Sequence, residues 1–161
     1  MTELHDATPE VRLRGVEDPD IELFFDHQAD PRAAEMAGFP ARDRTEMDAH
    51  WARLRGDDTK VVRTVVVGDE VAGNIGSWEA DGQQLLGYFL GRAHWGRGVA
   101  TRALALFMAE VPIRPLHAYV VEHNTGSIRV LEKCGFRRDE AQEETAAAED
   151  GIRELVFVLD A

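Results

Sequence analysis

Apolar and polar residues along the chain follow two periods, and each period predicts one type of element. Alternating positions and β-branched runs predict strands at Val11–Arg14, Val61–Val67, Val71–Trp78, Leu85–Leu90 and Leu116–Val121, one that begins at Phe136, and Ile152–Leu159. Apolar residues spaced by three and four predict helices that begin near Pro19 and that cover Arg44–Arg55, Gly98–Glu110 and Thr125–Cys134. The stretch from Asp30 to Pro40 is less regular, and the acidic stretch Asp139–Gly151 is expected to form a long hairpin loop.

The order of these elements limits the topology. Only residues 68–70 separate the second and third strands, which forces an antiparallel hairpin. The helix Gly98–Glu110 connects Leu85–Leu90 to Leu116–Val121 as a crossover, so these two strands are expected to run parallel. The predicted fold is α/β (α+β), with a mixed, mostly antiparallel sheet flanked by helices. A single domain of residues 1–161 is expected, because no linker or repeat divides the chain.

Composition and charge argue against several classes of protein. With 44% hydrophobic and 30% charged residues the chain is typical of a folded globular protein, and no apolar run is long enough to span a membrane. The net charge of -12 argues against a nucleic-acid partner and favours a cationic one, although acidity that only maintains solubility fits equally well. Cys134 is the only cysteine, which disfavours a cysteine-based zinc site, and no metal is expected. Such cysteine usage is typical of the reducing cytoplasm.

A glycine-rich loop, residues 91–101, follows the Leu85–Leu90 strand and leads into a helix. Its glycines let successive backbone N–H groups turn toward one point, where the helix dipole adds positive potential. Such a turn can hold a pyrophosphate, with Arg97 and the Thr101 hydroxyl as further donors. The loop lacks the Gly-Lys-Ser/Thr of an ATP-binding loop, and Thr101 replaces the third glycine of a dinucleotide fingerprint. A purely structural turn is the alternative.

A second polar group follows the Leu116–Val121 strand. Asn124 and Ser127 stand three residues apart at the start of a predicted helix, where Asn124 or Thr125 can serve as the N-cap. Because they lie near the end of the parallel strand pair, both side chains are also placed to bind a ligand that crosses the open edge of the sheet.

Together the two motifs resemble the GNAT superfamily of N-acetyltransferases. The family's loop reads Gln or Arg, two residues, Gly, one residue, then Gly or Ala, and Trp95–Ala100 fits it with Trp95 where Gln or Arg is usual. The Trp-Gly-x-Gly-x-Ala-Thr form, the Asn124-x-x-Ser127 pair and the Leu-Glu-Lys-Cys-Gly-Phe ending at residues 131–136 are similar to the branch that acetylates ribosomal-protein N-termini.

The resemblance implies a binding site for acetyl-CoA. In the family, the strand before the loop splays from its parallel neighbour, the pantetheine arm lies in the gap, and the pyrophosphate rests on the loop amides. The thioester would then lie near Asn124 and Ser127. The implied cofactor-binding residues are Phe89, Leu90, Gly91, Trp95, Gly96, Arg97, Gly98, Val99, Ala100, Thr101, Asn124 and Ser127.

The implied reaction is direct transfer of acetyl to a primary amine, either a protein N-terminus or a small molecule. The amine must lose a proton before it attacks. The branch often has a glutamate where Leu86 stands here, so the predicted general base is Glu79 at the end of its strand. Other candidates are His27, His50 and Glu122. Ser127 is predicted to return a proton to the departing thiolate, whereas Cys134 is not expected to take part, because a helix C-terminus disfavours a thiolate.

The acceptor site is the least recognisable part of the sequence. The residues predicted to line it are Phe39, Trp51, Trp78 and Tyr88, although a place in the core fits each aromatic as well. Acidic residues of the N-terminal helices favour a cationic acceptor or form a solvated face; they are Glu35, Asp43, Glu46 and Asp48. The alternative function is a non-catalytic acyl-CoA sensor, which Leu86 and Trp95 keep open. A monomer or a homodimer is expected.

Overall fold

One sheet of seven strands runs through the part of the chain that the computed structural model describes, residues 10–38, 41–143 and 153–160. The strands are β1 (Val11–Arg14), β2 (Val61–Val67), β3 (Glu70–Ala80), β4 (Gln83–Leu90), β5 (Leu116–Val121), β6 (Arg137–Arg138) and β7 (Glu154–Leu159). Their order in the sheet is β1-β2-β3-β4-β5-β7-β6. All neighbours pair antiparallel except β4 and β5. The predicted mixed sheet with one parallel pair is therefore confirmed.

Helices flank this sheet. They are α1 (Asp18–Ala29), α2 (Pro31–Ala37), α3 (Arg44–Arg55), α4 (Val99–Glu110), α5 (Thr125–Lys133) and α6 (Glu140–Glu143). The irregular stretch expected before residue 40 is wrong, because α2 fills most of it. Asp30 caps that helix by accepting a hydrogen bond from the Arg32 N–H at 3.0 Å, and Pro31 supplies a first residue that needs no hydrogen-bond partner.

The C-terminal predictions were less accurate. The strand expected to begin at Phe136 is only the two-residue β6, and it lies at the edge of the sheet beside β7. The expected hairpin loop Asp139–Gly151 contains the short helix α6 at its start, while residues 144–152 lie outside the described part of the chain. Local alternation identified these segments, but it could not show where pairing ends.

The parallel pairing between β4 and β5 is short. Gln84 pairs with Leu116 and Leu85 pairs with His117, whereas the pairing of β3 with β4 continues as far as Leu90. Beyond Leu85, β4 therefore separates from β5, and the sheet opens at this point. This is the splayed arrangement that the family resemblance implies.

Two apolar clusters hold the helices on the sheet. The larger includes Leu104 and Phe107 of α4 and Leu116 of β5, all fully buried. The smaller joins α1 to α3 through Phe24, Met47 and Trp51, with the Phe24 and Trp51 ring centroids 4.9 Å apart. Burying each such side chain stabilises the fold by about 1.5–3 kcal/mol. Packing of this cluster holds α3 near β2 and β3, which positions one wall of the site described below.

A buried carboxylate ties α1 to β1 and β2. Asp20 is 2% exposed and accepts hydrogen bonds from the Arg14 guanidinium at 2.7 and 2.9 Å. It also accepts from the Thr64 hydroxyl at 2.7 Å and the Glu17 backbone N–H at 2.8 Å. Burial alone would raise the pKa of Asp20, but these donors outweigh it and hold the pKa below its ordinary value.

Asp20→Asn is expected to lower the free energy of unfolding by about 3 kcal/mol, because it leaves the Arg14 cation without its carboxylate. Asp18→Asn is the control, since it breaks the exposed pair with Arg55 and should cost less than about 1 kcal/mol. Urea unfolding measures both costs. The Asp20 contribution should be complete at neutral pH and should disappear as the pH falls through the lowered pKa of Asp20. Equal costs for the two variants at neutral pH would contradict this account.

Candidate functional site

Two adjoining cavities border the opening between β4 and β5. The loop cavity, of about 390 Å³, is lined by the end of β4, the glycine-rich loop and α5. The α3 cavity, of about 520 Å³, is lined by α3, β3, β4 and β5. The residues that line both cavities, here called the shared wall, are Ala37, Tyr88, Phe89, Asn124 and Ser127. Ligands in the two cavities would therefore meet at this wall.

The glycine-rich loop turns sharply into α4. Gly96 and Gly98 have positive φ angles of 72° and 76°, which glycine adopts without strain. The first helical hydrogen bond runs from the Arg102 N–H to the Gly98 carbonyl at 3.1 Å. The N–H groups of the preceding residues 99–101 therefore have no acceptor within the helix, and these residues line the loop cavity. Such a cluster of donors at a helix N-terminus is suited to an anion.

Trp95 has a structural role at the unusual loop position. Its indole N–H donates to the Leu90 carbonyl at 3.1 Å, and its ring packs on the larger apolar cluster. The side chain thus fastens the loop to the end of β4.

Backbone groups at the end of β4 face the opening. The Gly91 N–H donates to the Ala72 carbonyl of β3 at 2.8 Å. Because backbone groups alternate sides along a strand, the Leu90 N–H points away from β3 and toward β5. The parallel register with β5 has ended by this point, so an extended ligand can pair here like an added strand.

The structure brings most of the predicted cofactor residues to the loop cavity. They are Phe89, Leu90, Trp95, Gly96, Gly98, Val99, Ala100, Thr101, Asn124 and Ser127. Two others lie outside the described lining of this cavity. Gly91 is buried against the His27 ring, and Arg97 is exposed on the loop. Asn124 also caps α5, since its side-chain oxygen accepts from the Ser127 N–H at 3.2 Å.

Tyr88 and Ser127 form the polar centre of the shared wall. Their side-chain oxygens are 2.7 Å apart. Burial raises the pKa of Tyr88 to about 12, although its hydrogen bond with Ser127 acts in the opposite direction. The phenol therefore keeps its proton throughout the neutral range. Burial also raises the pKa of Cys134, which lies outside both described linings, so this thiol is not activated.

The aromatic residues predicted for the acceptor site have different positions. Trp78 and Tyr88 line the α3 cavity and are half-buried. Trp51 also borders it but is 4% exposed and belongs to the smaller apolar cluster. Phe39 lies outside the described residues.

The candidate bases receive little geometric support. Glu79 is exposed opposite Gln84 of β4 and lies outside the described lining of both cavities. Glu122 is likewise exposed, and His27 packs behind the loop. His50 does line the α3 cavity, but burial, together with nearby cations, lowers its pKa to about 4. An imidazole with so low a pKa is a weak proton acceptor.

Several site residues were not foreseen from the sequence. Arg129 and Lys133 of α5 line the loop cavity. Their spacing of four residues places them on one helix face, and this spacing is visible in the sequence. Arg42, Arg53 and Lys60 line the α3 cavity from three separate segments. No sequence spacing connects these three.

Two negative findings apply to the described ranges alone. No helix in them combines the length and apolar character needed to cross a membrane. No group of three or more His, Cys, Asp or Glu side chains in those ranges is arranged to hold a metal ion.

Comparison with known proteins assigns the family. A family model described as an acetyltransferase (GNAT) domain matches residues 10–137, and the chain belongs to this family. The probable N-acetyltransferase YjcK of Bacillus subtilis is 31% identical over 104 residues, which are 61% of this chain and 54% of that protein. The match thus spans about half the length of YjcK. The uncharacterized N-acetyltransferase p20 of Bacillus licheniformis is 27% identical over 146 residues, 82% of each chain.

Solved structures share the fold. RimJ of Mycobacterium smegmatis, in complex with CoA-disulfide, has a TM-score of 0.74 at 20% identity and covers 94% of this chain and 82% of its own. The microcin C7 self-immunity acetyltransferase MccE, in complex with acetyl-CoA and AMP, has a TM-score of 0.75 at 14% identity, with 94% and 93% covered. An acetyltransferase of Agrobacterium tumefaciens has a TM-score of 0.74 at 22% identity, with 94% and 91% covered.

Proposed function

We propose that the protein transfers an acetyl group from acetyl-CoA directly to a primary amine. The observation that carries this proposal is the shared wall, where a cavity with anion-binding loop amides meets a second cavity at Tyr88 and Ser127. Membership of the GNAT family supports an acyl-CoA donor. The solved relatives that hold CoA-disulfide or acetyl-CoA are consistent with it.

The residues of the loop cavity fit acetyl-CoA. The N–H groups of residues 99–101 would hold the pyrophosphate, and the Leu90 N–H would pair with the pantetheine arm in the opening of the sheet. Arg129 and Lys133 would add positive charge for the phosphates. When bound, acetyl-CoA supplies a thioester as the acetyl donor.

The side chains of the shared wall would stabilise charge during the transfer. The neutral amine attacks the carbonyl carbon, the carbon–sulfur bond breaks, and the ammonium proton is released. A backbone N–H of β4 that faces the opening would donate to the carbonyl oxygen. Tyr88, held by Ser127, would donate a hydrogen bond to the departing sulfur. The pKa of an ordinary thiol, about 8.5, is lower than the pKa of the Tyr88 phenol, so Tyr88 would keep its proton.

The proposed route for the amine proton is water. Among the described residues, neither cavity is lined by an Asp or Glu, and His50 is too weak a base. The contribution of Glu79 would have to pass through water, since this carboxylate is exposed away from both described linings.

Thiol release from acetyl-CoA over an amine panel between pH 7 and pH 10 tests the activity and the base together. We expect log(kcat/KM) to rise until the pH reaches the pKa of each acceptor amine, because only the free amine attacks. Glu79→Gln should change the rate less than about threefold, against the 100-fold or greater effect typical of a general base. A break in the profile at one pKa shared by all acceptors and absent from Glu79→Gln would instead identify Glu79 as the base.

The alternative function is a non-catalytic acyl-CoA sensor. The observation that favours it is the apolar Leu86, 5% exposed in the lining of the α3 cavity where the resembling branch often has a glutamate. Tight CoA binding without turnover of any amine in the same panel would select the sensor.

A further inference from the structure

The α3 cavity is basic although the chain as a whole is acidic. Arg42, Arg53 and Lys60 line it, and none of its described lining residues is Asp or Glu. The complete chain carries a formal net charge of -12. A concave site with positive charge concentrates anions, whatever the net charge of the protein.

Two carboxylates close to these cations, Asp57 and Glu46, belong to a turn and to a helix cap outside this described lining. Asp57 lies 3.9 Å from the Lys60 ammonium, and its other oxygen accepts from the N–H and hydroxyl of Thr59 at 2.9 and 2.6 Å. Glu46 raises the pKa of Arg42, and its side chain accepts from the Asp43 N–H at 2.9 Å in the cap of α3. The cavity wall therefore keeps an excess of positive charge.

The three cations that line the α3 cavity disfavour further positive charge there. Burial lowers the pKa of Arg42, and the neighbouring Arg53 lowers it again. Besides burial, all three cations lower the pKa of His50, so this ring stays neutral. An anion bound here would offset both desolvation and repulsion.

We infer that the acceptor is a small primary amine that also carries a carboxylate or a phosphate. Its anionic group would be held by Arg42, Arg53 and Lys60, while its amine reaches Tyr88 and Ser127 in the shared wall. Arginine is well suited to this role, because its planar donors match either anion. The inference rests on the acetyl transfer proposed above and names the substrate class of that site.

The cationic acceptor expected from the sequence has no comparable support. The four acidic residues that favoured it all lie outside the described lining of both cavities. Asp43 and Glu46 form the capping box of α3, and Asp48 pairs with Arg44 at 3.5 Å. The remaining one, Glu35, is exposed on α2. Their positions agree with the solvated-face alternative.

Matched pairs of amines test the inference. The probes are 4-aminobutyrate with its amide, β-alanine with its amide, and O-phosphoethanolamine with ethanolamine. The first two pairs test recognition of a carboxylate, and the third tests recognition of a phosphate. We expect kcat/KM for the anionic member of at least one pair to exceed that of its neutral partner by at least about tenfold. Arg53→Gln should lower kcat/KM by about tenfold for the anionic amine and by less than twofold for the neutral one.

Arg55→Gln is the control for Arg53→Gln. It removes a positive charge from the same helix, where Arg55 pairs at the surface with Asp18 outside the described lining of the cavity. Anionic preference unchanged in Arg53→Gln and in Lys60→Gln would overturn the inference, provided that both variants are folded by circular dichroism.

The outcomes separate this inference from the proposed function. Equal turnover of neutral and anionic amines would support acetyl transfer and overturn the anionic acceptor. Turnover of acidic peptides without turnover of any small anionic amine would have the same two consequences. Turnover of no amine would overturn the proposed function. Calorimetry of the CoA-bound protein with the same anionic amines then decides the inference. Binding that Arg53→Gln weakens would support the anion site, and no binding would reject it.

Discussion

Gly98→Asp is expected to abolish measurable CoA binding, whereas Gly98→Asn should keep most of it. Gly98 precedes the first turn of α4 with φ at 76°, and a Cβ there meets no atom within 4 Å. Asparagine and aspartate therefore fit the same space and share the same backbone strain, and both tolerate this conformation better than most residues. The comparison isolates the effect of one negative charge next to the proposed pyrophosphate.

Two unit charges 4 Å apart near a protein surface interact by about 4 kcal/mol, or about 1000-fold in Kd. Salt screens part of this, so we expect Gly98→Asp to weaken CoA binding by at least about 100-fold relative to Gly98→Asn. Calorimetry with CoA measures both variants, and the difference should shrink as salt is added. If the two folded variants bind CoA equally well, the phosphates do not lie on this loop.

The position of the loop cavity was predictable because its determinants are local. The turn into α4 depends on Gly96 and Gly98, and the crossover places that turn beside a parallel strand. Asn124 and Ser127 follow that strand after a short connection, so the topology alone brings them to the same opening. Each inference needed only neighbouring residues and a known strand order.

The cations that line the α3 cavity were not predictable, for the opposite reason. Arg42 precedes α3, Arg53 is in its last turn, and Lys60 precedes β2. These residues line one cavity because the apolar cluster that contains Trp51 also packs against Val62 and so holds α3 beside β2. The chain as a whole is acidic, yet the acidic side chains singled out on α2 and α3 cap a helix or face solvent. A net charge therefore said little about the sign of the cavity.

Tyr88→Phe is expected to lower kcat by about 100-fold, the effect typical of removing one donor to a developing negative charge. KM for acetyl-CoA should change little, because the loop amides that would hold the phosphates are untouched. Tyr119→Phe is the matched control: Tyr119 also lines the α3 cavity, but it lies outside the shared wall, and its hydroxyl is exposed and donates to Gln83 at 2.8 Å. We expect this control to lose less than about threefold. Steady-state acetyl transfer over a range of acetyl-CoA concentrations measures kcat and KM for each variant.

The pH dependence of this loss separates two roles for the phenol. With a pKa of about 12, Tyr88 stays protonated across the working range and acts as a hydrogen-bond donor. The ratio of wild-type to Tyr88→Phe rates should therefore be constant between pH 7 and pH 10. If Tyr88 instead had the ordinary tyrosine pKa of about 10, the ratio of the two rates would begin to fall toward pH 10, because the phenol would lose its proton. Ser127→Ala should reduce kcat by a smaller factor, because it removes the partner that orients the phenol at 2.7 Å and leaves the donor itself in place.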